Sequence, residues 1–383
     1  MTDDLLWLAF VTASYLKETG DLTVLDDRVA FLDDAKEESL LDHVERAFEK
    51  SFARTSERGL PYIGGGDWND GLSAMGLEER GESVWLAQFL AGLLADWAEV
   101  HKRLGDRDRP GRGAELLARR HALIAAVNEH GWDGSWYRRA TRDDRSWIGS
   151  ASNTEGRIYL NPQVWAILAD VAPPRRASQC LAAVREHLVT PAGALLLAPA
   201  YSEPDETIGY ITRYAPGLRE NGGVYTHAAT WAIAAAAKQK DAELVATLLA
   251  AMDPTNKDSD RYWAEPYVLP GNVDGPASPL EGRAGWTWYT GSAAWLPRIV
   301  SEWVLGVRPT WEGLRFDPCL PPHWPGARMR RPWRGASLEI EIARDSALAG
   351  GEVAVEANGV ALAGDTLAEV DTGAELRIHV RCG

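Results

Sequence analysis

The chain has 383 residues, 45% apolar and 25% charged, the balance of an ordinary globular protein with room for one large domain, alone or beside a small one. No apolar run is long enough to cross a bilayer, which excludes a transmembrane helix, and a formal net charge of −15 disfavours nucleic acid as a partner. The acidic start, Met-Thr-Asp-Asp, argues against a signal peptide. Three cysteines (Cys180, Cys319, Cys382) without CxxC spacing suggest neither a zinc site nor a disulfide framework, and fit a reducing cytoplasm.

In chain order, residues 4–18 carry apolar side chains at helical spacing, with Thr2, Asp3 and Asp4 as candidate caps and Gly20 as the stop. Helices are predicted at 36–57, 81–104, 111–129, 161–171, 176–189, 227–238, 241–252 and 289–305. Between them lie loops at 59–76, 131–160, 190–226 and 253–288, long and rich in Gly, Pro and Trp; such loops on a rigid scaffold are where binding and catalysis concentrate. From about residue 306 the pattern changes to apolar–polar alternation in 337–343, 351–360 and 375–381, split by Gly, Asn and Asp turns as in antiparallel strands. The expected fold is mainly α: a helical region over 1–305, read as an incomplete α/α toroid of the six-hairpin barrel type, then a small antiparallel β domain over 306–383.

The 17 tryptophans against 6 phenylalanines are unusual. Indole offers a flat apolar face and one N–H, which suits the C–H faces and hydroxyl edges of sugars, although most of these residues belong to a core. Three segments concentrate chemistry. In Gly64-Gly65-Gly66-Asp67-Trp68-Asn69-Asp70-Gly71, glycines that let backbone approach a ligand closely precede two carboxylates, an indole and an amide. Arg219-Glu220-Asn221-Gly222-Gly223-Val224-Tyr225-Thr226-His227 runs into a helix, placing His227 where orphan N–H groups attract anions. Gly282 to Ser292 also leads into a helix, so that Thr290 and the Gly291 N–H form a second candidate anion corner. Read alone, this last segment fits aromatic packing with a helix cap equally well.

The segments GGDWNDGL (65–72), EGRIYLNPQVWAI (155–167), RYAPGLRENGGVYTHAATWAIA (213–234), AEPYVLPGNVDGPASP (264–279) and GRAGWTWYTGSAAWL (282–296) occur in one order. Together they resemble glycoside hydrolase family 94, the cellobiose, cellobionic acid and chitobiose phosphorylases, from about residue 3 to about 330. GESVWL (81–86) resembles the C-terminal region of cyclic β-1,2-glucan synthases. The resemblance implies an inverting phosphorylase that takes a β-linked disaccharide and inorganic phosphate to an α-sugar 1-phosphate and a free sugar, with no cofactor and no metal. It assigns Asp70 as general acid, Trp68 to the glycosyl unit, Arg219 and Glu220 to the leaving sugar, and His227, Thr290 and Gly291 to phosphate. Arg219 stands where some members have lysine. Arg213 and Arg219 are candidates for an acidic acceptor, or surface charge.

An inverting hydrolase needs an acid and a base, whereas phosphate is already an anionic nucleophile, so one committed acid and an anion pocket suffice. The acid must hold its proton at working pH, which burial or the like charge of Asp67 would secure. The resemblance also implies an upstream Arg-Asp segment and an N-terminal β-sandwich that this sequence lacks. The chain alone is therefore expected to be weakly active or inactive as a phosphorylase unless a second chain supplies the missing part, with a homodimer or a complementing N-terminal chain as the expected partner. The alternatives are a non-catalytic carbohydrate-binding or partner module, and a phosphorylase-like domain associated with cyclic β-1,2-glucan synthesis.

Overall fold

A computed structural model describes residues 1–32, 34–105 and 109–383. Helices α1 (Asp4–Thr19), α2 (Leu40–Phe52), α3 (Val84–Leu104), α4 (Arg112–Ala126), α5 (Leu160–Leu168), α6 (Pro174–His187), α7 (Thr226–Lys238), α8 (Ala242–Met252), α9 (Ser259–Tyr262) and α10 (Ser292–Ile299) make up the first part. Among these described residues no helix is long and apolar enough to cross a membrane.

Composition separates inner from outer helices. Most residues of α3, from Val84 to His101, are buried around the whole circumference, as are nearly all of α5 and the alanine-rich α7. Helices apolar all round belong inside a core, and those with one apolar stripe cover it. Accordingly α3 packs on α4 and α5, α5 on α6 and α7, and α7 on α8 and α10, while α1 joins α2 to α3. The small side chains of α7 let neighbouring helices approach, and Trp231 fills the space they leave.

The α2 segment differs from expectation. Residues 34–39 form a strand paired with Arg28–Phe31, and the helix begins only at Leu40. Ser39 supplies the reason: its Oγ accepts the Asp42 N–H at 3.1 Å, an N-cap that fixes the start. The last predicted helix is likewise shorter, since Pro297 lies inside α10 and a π-turn over Val300–Val304 replaces its final stretch.

From Val307 onward the structure is β. A five-stranded sheet runs in the order 326–333, 336–344, 375–382, 353–357, 360–361, and a three-stranded one pairs 307–309, 314–316 and 366–367. Ala336, Leu338, Ile340 and Ile342 point inward while Ser337, Glu339 and Glu341 point out, the period-two pattern read in the sequence. One pairing is not antiparallel: 336–344 and 375–382 run parallel.

This β part is bonded to the C-terminal end of α1, the C-terminal half of α3 and the turn after α7. Arg334 donates to the Lys17 carbonyl at 2.9 Å, Trp311 Nε1 to Asp96 at 3.0 Å, and Lys240 pairs with Asp317. The N-terminal ends of α1, α3, α5, α7 and α10 are left to the long loops, and the chemistry-bearing segments converge there.

Candidate active site

The loop before α3 is built by alternation. Asp67 and Asn69 are fully buried, Trp68 is half-buried, and Asp70 is exposed. Inward, Asp67 accepts Ser83 Oγ at 2.6 Å and both terminal nitrogens of Arg139, one of them at 2.8 Å. Asn69 Oδ1 accepts Arg139 at 2.9 Å and Asn161 at 3.2 Å, and its amide donates to Glu220 Oε2 at 2.8 Å. Two inward anchors one residue apart present Trp68 and Asp70 to the open side. Gly64 (φ +58°) and Gly66 (φ +118°) make the preceding turn in the left-handed region, and the Gly66 carbonyl accepts the Thr2 N–H at 3.1 Å, which ties α1 to the loop.

Two expectations about Asp70 are corrected. It is exposed rather than buried, and Asp67 does not face it as a free like charge, because Asp67 is spent on Arg139. The acidic neighbour whose charge interacts with Asp70 is Glu220, and the Asp70 carboxyl, after burial, raises the neighbouring Tyr210 hydroxyl well above its ordinary value. Arg139 was missed in the sequence; it is fully buried, and a Cβ at Gly149 would stand 2.5 Å from its backbone nitrogen, so only glycine allows this close approach.

Glu220 is 3% exposed, and its carboxyl is pushed up to about 7 by burial and the charge of Asp70, against the Asn69 hydrogen bond and Arg219. The native state therefore holds a proton that the unfolded chain releases above its ordinary value of 4.5. The contribution of Glu220 to stability therefore falls as pH rises from about 4.5 to about 7, and is level beyond. Glu220→Gln is expected to match the parent below this window and to exceed it at pH 8 by on the order of 2 kcal/mol, checked by urea denaturation at both pH values. Its neighbour Arg219 occupies a left-handed backbone position (φ +51°) and stacks its guanidinium 4.1 Å from the Trp286 ring. Arg213 is an exposed partner of Glu206, on the surface-charge side of its reading.

A three-stranded sheet joins the other two segments. Asn272 pairs with Tyr225 on one side and Gly285 on the other, drawing 219–227 and 282–291 together. His227 then lies against Gly291, where a Cβ would come within 2.7 Å of Nδ1. Thr290 and Ser292 hydroxyls share a 2.8 Å bond beside Thr226. Burial lowers His227 to about 4, so the ring is neutral at pH 7, and its buried Nε2 has no partner. The ring meets Trp68 edge-on at 5.1 Å.

Trp68, Asp70 and His227 line one cavity of about 310 Å³ together with Asp3, Asp4, Trp7 and Trp295, at the lower end of small-molecule sites, which run from roughly 300 to 1,000 Å³. Gly291 adjoins it through His227, and Glu220 is held to the Asp70 loop by Asn69. An exposed carboxyl, indole faces and a helix N-terminus with an unpartnered imidazole nitrogen suit protonation of a sugar's leaving oxygen beside an anion.

Residues 1–306 match the model of the glycosyl hydrolase 94 superfamily, catalytic domain, and residues 307–359 that of the glycosyl hydrolase family 65, C-terminal domain. The chain is 37% identical over 372 residues to cyclic beta-(1,2)-glucan synthase NdvB of Rhizobium meliloti, covering 90% of this chain and 13% of NdvB. It is 36% identical over 368 residues to solabiose phosphorylase of Paenibacillus borealis, covering 95% of this chain and 47% of that one. The chain thus spans about half the length of this phosphorylase. Among solved structures, a GH78 family rhamnosidase of Bacillus sp. GL1 matches with a TM-score of 0.55 at 14% identity, over 89% of this chain and 32% of the other, a likeness of fold alone.

Proposed function

Since the chain belongs to the glycosyl hydrolase 94 superfamily, we propose that it carries the site of an inverting phosphorylase for a β-linked disaccharide. Asp70 protonates the glycosidic oxygen as the C–O bond breaks. Phosphate attacks the anomeric carbon from the opposite face, giving an α-sugar 1-phosphate and a free sugar, and the proton lost on phosphate ester formation replaces the one Asp70 gave. Trp68 packs on the glycosyl unit, Arg219 and Glu220 serve the leaving sugar, and His227, Thr290 and Gly291 hold phosphate. The observation that carries this reading is the meeting of Trp68, Asp70 and His227 on one cavity.

The helices α1, α3, α5, α7 and α10 are read as the inner ring of an α/α toroid, over 1–305, with 306–383 as a separate β domain. Leu8, Val11 and Tyr15 are exposed along one side of α1, which supports association with a second copy or a complementing chain. The likeness to NdvB favours a second reading, a phosphorylase-like module beside a β-1,2-glucan synthase.

The test incubates β-1,2-, β-1,3- and β-1,4-linked glucose and N-acetylglucosamine disaccharides with the protein, with and without phosphate. Phosphate-dependent release of a sugar 1-phosphate from one linkage is the expected result, and a preference for the β-1,2 linkage selects the second reading. Release of two free sugars at a rate independent of phosphate would refute phosphorolysis.

A further inference from the structure

We propose that Asp3 binds a hydroxyl of the glycosyl unit in the cavity of Asp70, as a specificity-determining residue; this rests on the carbohydrate reading of that cavity. Asp3 occupies the position before α1 where a carboxylate ordinarily caps the first turn, yet its side chain makes no cap bond. It turns instead to the cavity that it lines with Trp7, Trp68, Asp70, His227 and Trp295. Its Oδ2 accepts Trp7 Nε1 at 2.8 Å, and its Oδ1 is buried with no partner, although the residue is only 3% exposed. A buried carboxylate oxygen without a donor is costly, and is kept where something outside the chain completes it.

The surroundings decide what that is. The titratable neighbours on the cavity are Asp4, Asp70 and a neutral His227, and Asp67 stands close enough to raise the Asp3 carboxyl, after burial, to about 6. Phosphate would add negative charge to an acidic corner, so it belongs at the His227 side. A sugar hydroxyl is a neutral donor, and Trp7, Trp68 and Trp295 offer apolar faces for the ring that carries it. The Thr2 N–H bond to Gly66 fixes Asp3 in register with the loop that presents Asp70.

Tryptophan fluorescence titration of the full chain with D-glucose, N-acetyl-D-glucosamine and the monodeoxy glucoses tests this, on the parent and on Asp3→Asn. The substitution preserves shape and the acceptor for Trp7, and the unfolding midpoint reports whether the fold persists. Expected is a loss of roughly 10- to 100-fold in affinity for the preferred sugar, matched in the parent by one monodeoxy glucose that binds parent and Asp3→Asn alike. Inorganic phosphate should bind both proteins within about two-fold. Equal sugar affinity in the two proteins, a loss confined to phosphate, or no sugar binding by the parent overturns the inference. Turnover is scored separately. Asp3-dependent sugar binding without phosphorolysis removes the proposed reaction and keeps this inference, and phosphorolysis with unchanged binding by Asp3→Asn does the reverse.

Discussion

Arg139→Leu is expected to destabilise the protein by about 3–5 kcal/mol, the cost of leaving a buried charge without its partner. The guanidinium reaches Asp67 through both terminal nitrogens and Asn69 through two of its three nitrogens. Leucine fills part of the volume and answers none of these acceptors. Asp67, fully buried, would keep only Ser83 and the Asn69 N–H. The penalty therefore comes from the stranded carboxylate more than from the lost pair, and the double variant Arg139→Leu/Asp67→Asn should recover more than half of it. Urea denaturation of the two singles and the double completes the cycle. If Arg139→Leu costs under about 1 kcal/mol, Asp67 is not relying on it.

The contrast between Asp67 and Arg139 shows what the sequence makes legible. Gly-Gly-Asp-Trp-Asn-Asp-Gly is visible because its residue types are clustered, and Asp70 could be separated from Asp67 by resemblance. Why the two aspartates differ lies 72 residues from Asp67, in Tyr-Arg-Arg-Ala-Thr-Arg-Asp-Asp-Arg, where the fully buried Arg139 stands among the half-buried Arg138 and Arg142 and the exposed Arg145. Local pattern cannot tell which arginine turns inward. A usable signal was Ala140-Thr141, a buried strand directly after Arg139 and a place where a solvated charge run should not continue.

Helices were legible where apolar periodicity and caps agreed, as in α3, with Ser83 accepting the Leu86 N–H at 3.0 Å and Gly105 in the left-handed C-cap. Residues 34–39 were not, because Lys-Glu-Glu favours helix while the backbone pairs with 28–31 in an exposed hairpin. The strand 326–333 was missed for a related reason. Its arginines erase the alternation, and only the fold shows Arg328 opposite Glu341 and Arg330 opposite Glu339. Asp3, read as a cap, had a local role available that the structure does not use.

Asp70→Asn is expected to lower phosphorolysis of a disaccharide by about 10²- to 10⁴-fold, the span of a general acid, with stability within about 0.5 kcal/mol of the parent. Both halves follow from placement. Asp70 is exposed, so an isosteric amide disturbs no packing, and Asp67 and Asn69 still anchor the loop. On the proposed mechanism, what disappears is the proton for the leaving oxygen. A substrate whose leaving group needs little protonation, such as a 4-nitrophenyl β-glycoside, should then lose far less, about 10-fold or under, because the anion site and the aromatic faces remain. An equal fall for both substrates would instead assign Asp70 to binding or loop shape. If Asp70 is the acid proposed above, the same carboxylate takes the proton of the attacking hydroxyl in the synthetic direction, and sugar 1-phosphate consumption should fall by the same factor as phosphorolysis.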